Sequence, residues 1–246
     1  MHFYYYSSYI PFIIPLLICM LLSLYASMKV KSTYKKYGKI SNRSGYNGYD
    51  TAYRLMRSNG VVDVQIGKVG GELSDHYHPT KGVVNLSDST YDSSSVAAVA
   101  VAAHEIGHVM QNKKGYFLYN VRTALVPVAN VGSFLAMPLV MVGLLLDLFV
   151  STTRNSDLGF YVAMIGVILY GMSFLFTLVT YPVELDASRR AKNMLVSEGI
   201  LASDEMDGAE KVLSAASLTY LASMLTSLIY FLRFLFYVLR LFGRRD

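Results

Sequence analysis

Long apolar runs constrain the fold of this chain more than any other feature of its sequence. The first run, residues 9–28, holds twenty residues without a charge, and about 20 helical residues are enough to cross a bilayer. Further runs lie at residues 121–150, 160–179 and 215–239, the last one interrupted by Arg233. Only 16% of the 246 residues are charged, against about 25% in soluble domains. The sequence therefore predicts a multi-pass membrane protein rather than a disordered chain or an ordinary soluble enzyme.

The few charged residues predict the orientation of the chain in the membrane. Six cations and no acid lie between residues 29 and 49, directly after the first run. Because the cytoplasmic flanks of membrane helices are rich in Lys and Arg, we expect this segment in the cytoplasm. The polar break at 151–157 is then expected outside, and the chain returns to the cytoplasm at Tyr181 and Pro182. No basic stripe with interleaved aromatic residues accompanies the net charge of +5, so no nucleic-acid partner is predicted.

Residues 44–115 form the only sizeable polar stretch of the sequence, and their pattern predicts a small α+β domain. The expected elements are a helix at 50–58, strands at 61–69 and 82–86, a polar turn at 75–79, and a second helix that starts near residues 92–95 and ends near Asn112. The many Ala and Val residues of the second helix predict that it packs against neighbours on several sides. The lone Cys19 leaves no role for disulfides.

The second helix carries an HExxH motif, His104-Glu105-Ile106-Gly107-His108. About 0.002 chance occurrences are expected for a chain of this composition, so coincidence is a poor explanation. Residues i and i+4 lie on one helix face, so both imidazoles can bind one Zn²⁺ while Glu105 acts as general base on the water that the metal polarises. Gly107 fits a helix face that is crowded by a neighbouring element. A buried helix whose two histidines make local hydrogen bonds is the alternative.

Such a zinc site needs a third protein ligand, and Glu184 is the best candidate. It follows the third apolar run, where a hairpin of two spans brings the chain back to the side that it left, and Pro182 is well placed to start its helix. The alternative is a carboxylate that only stabilises a helix N-terminus. Less favoured substitutes as ligands are Glu198, Glu205 and Glu210.

Other polar groups near these ligands have open roles. Asp186, Arg189 and Arg190 either orient the ligands, stabilise an oxyanion or are simply solvated. A hydrogen-bond acceptor is also expected for each ligating histidine. The Asp75–Pro79 cluster is best explained as a polar turn, with a contribution to the transition state or a second metal site as weaker alternatives. We expect the strand Val83–Leu86 to border the cleft and to hold an extended peptide along a free edge.

Several segments together resemble the membrane-bound neutral zinc metallopeptidases of the YugP-like family, over most of the chain from about Lys29 to Leu221. These segments read LSDHYHP, VVNLS, VAVAAHEIGHVMQ, ALVPVANVGS and PVELDASRRA. The resemblance implies zinc as cofactor, His104 and His108 as ligands and Glu105 as catalytic base.

The chain is also distantly similar to heat-shock membrane zinc proteases and prenyl-protein proteases. In those families a later Glu-x-x-Ala-Asp segment provides the third ligand. Here Glu184 matches that ligand, whereas Ser188 replaces the Asp.

These features predict a mainly α-helical membrane protein with three or four transmembrane helices and a small α+β, zincin-like cytoplasmic domain. The predicted organisation is a membrane anchor at 1–28, a metallopeptidase region at 29–117, a transmembrane hairpin at 118–182, a helix with the third ligand at 183–214, and a hydrophobic helix with a basic tail at 215–246.

The predicted function is that of a zinc metalloendopeptidase in the cytoplasmic membrane, whose site faces the cytoplasm. It would cleave membrane-associated or juxtamembrane peptide segments. A membrane scaffold or quality-control adaptor with a structural zinc site is the alternative, although such a site does not require Glu105. A transporter is less favoured because ionisable residues are scarce in the apolar runs. Whether residues 215–239 cross the membrane or lie at its surface stays open at this point.

Overall fold

In a computed structural model, residues 2–150 and 157–242 are described, and most of them are helical. The predicted polar break at 151–157 therefore lies almost entirely outside the described residues, as do the last four residues of the basic tail. The elements follow in the order α1 (His2–Tyr37), α2 (Gly48–Ser58), β1 (Gln65–Val69), β2 (His76–His78), β3 (Val83–Ser87), α3 (Asp88–Tyr91), α4 (Val96–Lys113), α5 (Phe117–Val150), α6 (Leu158–Ser197) and α7 (Ser203–Phe242).

Four of these helices are long and apolar enough to cross a membrane. The candidate segments are Pro11–Tyr37, Phe117–Asp147, Leu158–Ser197 and Ser203–Arg240. Together with one small sheet, they confirm the predicted class of a mainly α-helical membrane protein. The last segment includes the C-terminal run, so its length and composition fit a span.

The expected helix start at Pro182 is wrong. Helix α6 runs without interruption through Pro182 and ends at Ser197. A proline removes one backbone donor from a helix, and membrane helices tolerate this loss when neighbouring groups satisfy the freed carbonyl. The third apolar run and the segment that carries Glu184 form one continuous helix.

The chain divides into two compact units. The first unit comprises Met1–Leu24, Val121–Tyr181 and Leu221–Asp246. Within it, α5 and α6 approach so closely that a Cβ atom on Gly143 would lie 2.5 Å from the backbone nitrogen of Ala163. Small residues at such close crossings are typical of helices that pack in membranes.

The second unit, Tyr25–Asn120 and Pro182–Tyr220, is built around α4. Most residues of this helix are buried, and the surrounding core contains Leu55 from α2, Leu86 from β3 and Leu195 from α6. Ala and Val side chains on α4 leave room for these neighbours, so the predicted packing on several sides is confirmed. The Ser95 side chain caps the helix by accepting a hydrogen bond from the Ala98 backbone N–H at 3.2 Å.

The sheet in the second unit has the order β1-β3-β2. Strand β1 pairs with β3 in parallel, from Gln65 opposite Val83 to Val69 opposite Ser87. The strand predicted at 82–86 is confirmed with a shift of one residue. The strand predicted at 61–69 begins only at Gln65. At the predicted start, the Val61 N–H donates to the Met56 carbonyl of α2, so Val61 cannot join the ladder.

Two predictions about the other strands are wrong. The cluster expected to be a turn contains strand β2, which pairs antiparallel with β3 from His76 opposite Asn85 to His78 opposite Val83. Alternation explains the strand, since Tyr77 packs against the core between two more polar neighbours. Strand β3 is consequently paired on both sides, so it has no free edge for a peptide. Among the described residues, β1 and β2 are the outer strands.

Candidate metal centre

The middle of helix α4 carries three polar side chains, His104, Glu105 and His108. His104 and His108 are four residues apart, so they share one face of the helix. Their rings are nearly perpendicular, at 85°, with centroids 4.8 Å apart. Glu105, the next residue after His104, is only 7% exposed. The local geometry expected from the HExxH spacing is therefore present.

Helix α6 brings Glu184 to the same two histidines. Its Oε2 atom lies 3.1 Å from His104 Nε2 and 3.4 Å from His108 Nε2. The Glu184 side chain is almost fully buried, and the three residues form a group whose ligand atoms could hold one metal ion. Eighty residues of sequence separate His104 from Glu184, so this meeting depends on the packing of α4 against α6.

The donor atoms and their spacing fit a zinc ion. Zinc in catalytic sites is bound by three protein ligands at about 2.0–2.2 Å in tetrahedral geometry. Two ligand atoms at that distance from a tetrahedral centre lie about 3.4 Å apart. The two distances from Glu184 to the imidazoles, 3.1 and 3.4 Å, match this spacing.

The less favoured acidic candidates are engaged elsewhere. Glu198 forms an ion pair with Arg54 at 3.5 Å, and Glu210 pairs with Lys192 at 3.1 Å. Glu205 accepts a hydrogen bond from the Ala202 backbone N–H at the start of α7. None of the three belongs to the group around His104 and His108.

Both histidines use their second ring nitrogen in a hydrogen bond. His104 Nδ1 lies 3.2 Å from Ser188 Oγ, and His108 Nδ1 lies 2.9 Å from Gln111 Oε1. In each case the Nε2 atom is left to face Glu184. Such partners fix the orientation of a ligating imidazole and increase its basicity.

The sequence predicted that these partners exist but did not identify them. Ser188 stands at the position where the distant resemblance to heat-shock membrane zinc proteases leads one to expect an Asp, and this difference was the available signal for it. Gln111 is one helical turn after His108 in a largely apolar helix, and that spacing was a signal as well. Asp186 and Arg190, whose roles were open, bond to each other at 2.6 Å, and Asp186 reaches His108 only through Gln111. Arg189 is exposed.

Burial changes the acidity of Glu105. Its pKa rises to about 7 because burial disfavours the carboxylate, an effect that the nearby His104 opposes and Glu184 adds to. A carboxyl group with a pKa near neutrality can both accept and release a proton at physiological pH.

Gly107 allows the two ligand helices to meet. A Cβ atom at this position would lie 2.4 Å from the Ala187 carbonyl oxygen of α6, which is too close for any side chain. The expected crowding of this helix face is confirmed, and the crowding element is the helix that carries Glu184.

His76 on β2 and the adjacent Asp75 are held by hydrogen bonds within their own part of the sheet. His76 Nδ1 bonds to the Ser74 carbonyl at 2.9 Å, and its Nε2 accepts from the Asn85 amide at 3.1 Å. Asp75 accepts hydrogen bonds from the backbone N–H and the hydroxyl of Ser87. These contacts account for both residues without a second metal ion.

Comparison with known proteins places these observations in one family. Residues 12–239 match the family model described as "Putative neutral zinc metallopeptidase". The chain is 42% identical over 213 residues to "Putative membrane protease YugP" of Bacillus subtilis (strain 168), an alignment that covers 87% of this chain and 90% of that protein. No solved structure matches the chain significantly.

Proposed function

Because the chain belongs to the family of neutral zinc metallopeptidases, we propose that it is an integral membrane zinc metalloendopeptidase. The observation that carries this proposal is the convergence of His104, His108 and Glu184 on one point, with Glu105 beside them on the same helix. A structural zinc site would be served by the ligands alone, whereas the buried carboxyl of Glu105 provides a group for proton transfer.

In this proposal His104, His108 and Glu184 hold the zinc ion through two Nε2 atoms and one carboxylate oxygen. When bound there, zinc would supply Lewis acidity that polarises the scissile carbonyl and lowers the pKa of water. Glu105 accepts the proton of the attacking water on its carboxylate and delivers it to the leaving amine. Ser188 and Gln111 keep the imidazoles oriented through both steps.

The substrate would approach from the side of His104. Its side chain is 14% exposed, against 9% for His108 and 2% for Glu184. Strand β2 supports an extended binding mode, because it is an outer strand among the described residues and the Tyr77 hydroxyl donates to Asn112 on α4 at 3.3 Å. A peptide can add to such an edge through main-chain hydrogen bonds.

We further propose that the substrates are membrane-associated or juxtamembrane segments and that the site faces the cytoplasm. Glu184 follows the third apolar run, residues 160–179, by five residues in sequence, and the relative from Bacillus subtilis is named a membrane protease. The cations after the first apolar run support the orientation. A cysteine introduced by Glu72→Cys in a Cys19→Ser background should react with an impermeant maleimide in inverted vesicles only, and reaction in right-side-out vesicles only would reverse the orientation.

Peptide hydrolysis by Glu105→Gln tests the proposed mechanism. We expect the purified variant to bind one zinc ion like the wild type while its turnover falls at least about 100-fold, since it lacks the proton acceptor. The exposed Glu72→Gln is the matched control and should cleave at the wild-type rate. Equal cleavage by Glu105→Gln and wild type would refute the mechanism. A wild type that binds zinc, unfolds on chelation and cleaves nothing would favour the scaffold alternative.

A further inference from the structure

We propose that Gln111 is a positioning residue that clamps the two ligand-bearing helices together and fixes the proton on His108. This inference rests on the proposed zinc site. The Gln111 side chain is fully buried, and its single amide makes three hydrogen bonds. Oε1 accepts from His108 Nδ1 at 2.9 Å, and Nε2 donates to the Val183 carbonyl at 2.7 Å and to Asp186 Oδ2 at 2.9 Å.

The two α6 acceptors determine which way the amide points. If the amide were turned over, Oε1 would face the Val183 carbonyl and the Asp186 carboxylate, and neither oxygen can donate a hydrogen bond. Nε2 must therefore point to α6 and Oε1 to His108. His108 then carries its proton on Nδ1, so its Nε2 lone pair is directed to the ligand side, 3.4 Å from Glu184.

The contacts on α6 lie on both sides of the third ligand. Val183 directly precedes Glu184, and Asp186 follows it by two residues. Arg190 Nε donates to Asp186 Oδ2 at 2.6 Å, and Arg190 Cζ lies 5.7 Å from the centre of the Tyr116 ring. Gln111 thus connects His108 to the segment of α6 that carries Glu184. The contacts of Arg190 with Asp186 and Tyr116 hold this segment in place.

Only an amide satisfies both sides of this clamp. A carboxylate at position 111 would be a stronger acceptor for His108 alone, and such acceptors generally improve metal binding. The same carboxylate would face the oxygens of Val183 and Asp186 without a proton to donate. The clamp therefore predicts that Gln111→Glu weakens zinc binding, whereas a residue that merely accepts from His108 would be improved by this change.

Zinc affinity, measured by competition with a chromogenic chelator on the detergent-purified full chain, tests the inference. We expect Gln111→Leu to weaken zinc binding about 10–100-fold and Gln111→Glu to weaken it at least about tenfold. Asn112→Leu changes the next amide on the same helix, whose side chain accepts from Tyr77 rather than from His108, and it should change the affinity less than about threefold. Adding Asp186→Asn to Gln111→Glu restores a donor opposite the carboxylate, so it should recover at least about threefold of the loss.

These variants separate the clamp from other outcomes. Zinc binding by Gln111→Leu within twofold of wild type would overturn the inference, and tighter binding by Gln111→Glu would reduce Gln111 to a simple acceptor. If Gln111→Leu does not fold, the zinc affinities of Gln111→Glu and of the double variant Gln111→Glu/Asp186→Asn still test the inference. A wild type that binds zinc but cleaves no peptide refutes only the peptidase proposal, and a wild type that binds no zinc refutes both.

Discussion

Replacing Gly107 by alanine should damage the metal centre without touching a ligand. The added Cβ atom would lie 2.4 Å from the Ala187 carbonyl oxygen, whereas ordinary contacts begin at 3.4 Å. Helix α4 and helix α6 must therefore separate by about 1 Å at this point. The Cβ atom is fixed to the backbone of α4, and the oxygen that it meets belongs to the backbone of α6. No flexible side chain can therefore absorb the shift.

The consequences for zinc binding and for stability differ in size. Ala187 lies one helical turn after Glu184, so a displacement of about 1 Å carries the carboxylate with it, and metal sites tolerate only about 0.2 Å in ligand distance. We expect zinc affinity to fall at least tenfold. Overpacking costs about 1–3 kcal/mol, but alanine is favoured over glycine in a helix by about 1 kcal/mol. The net loss in free energy of unfolding should thus be about 0–2 kcal/mol.

Chelator competition and thermal unfolding of the metal-free protein measure the two effects. Gly70→Ala is the matched control, since the nearest atom to its new Cβ would be 3.9 Å away, and it should change neither quantity. If Gly107→Ala binds zinc within twofold of wild type, the argument that helix approach sets the ligand spacing is refuted.

Three further predictions follow from other contacts. Ser188→Ala removes the hydrogen-bond partner of His104 Nδ1 and should weaken zinc binding about tenfold, whereas unchanged affinity in chelator competition would mean that Ser188 plays no part. Asn47→Ala removes the capping box that Asn47 forms with Asp50 at the start of α2; we expect a loss of about 1 kcal/mol and a Tm lower by about 2–4 °C, with zinc affinity unchanged. In the metal-free protein the pKa of Glu105 is about 7, against 4.5 for an unperturbed Glu, so its contribution to stability is fully present below pH 4.5 and falls as the pH rises to 7. Glu105→Gln should therefore raise stability by about 3 kcal/mol at pH 8 and change it little at pH 4, and equal Tm shifts at the two pH values would contradict this.

Features with a local cause could be predicted from the sequence. The apolar runs give the four long helices because length and hydropathy alone decide them. The Ser95 cap and the HExxH spacing fix the start of α4 and the common face of His104 and His108. The candidate third ligand, Glu184, was predicted by following the path of the chain, and α6 brings it to the two histidines.

Features that depend on distant partners could not be predicted. In sequence, the polar segment His76–His78 resembles a turn, because its strand conformation depends on pairing with β3. The central position of β3 depends in turn on both of its neighbours. Pro182 resembles a helix start, yet α6 runs through it without interruption. Gln111 could not be given its role from sequence because its partners Val183 and Asp186 lie 72 and 75 residues away.

A zinc titration of the metal-free, detergent-purified protein, with peptide hydrolysis followed at each step, tests most directly whether this chain is a zinc peptidase. We expect no cleavage without zinc and a rise to a plateau at one zinc ion per chain. The same titration of Glu184→Ala should give neither tight binding nor cleavage. Cleavage that persists without zinc, or wild-type activity in Glu184→Ala, would contradict the proposed metal centre.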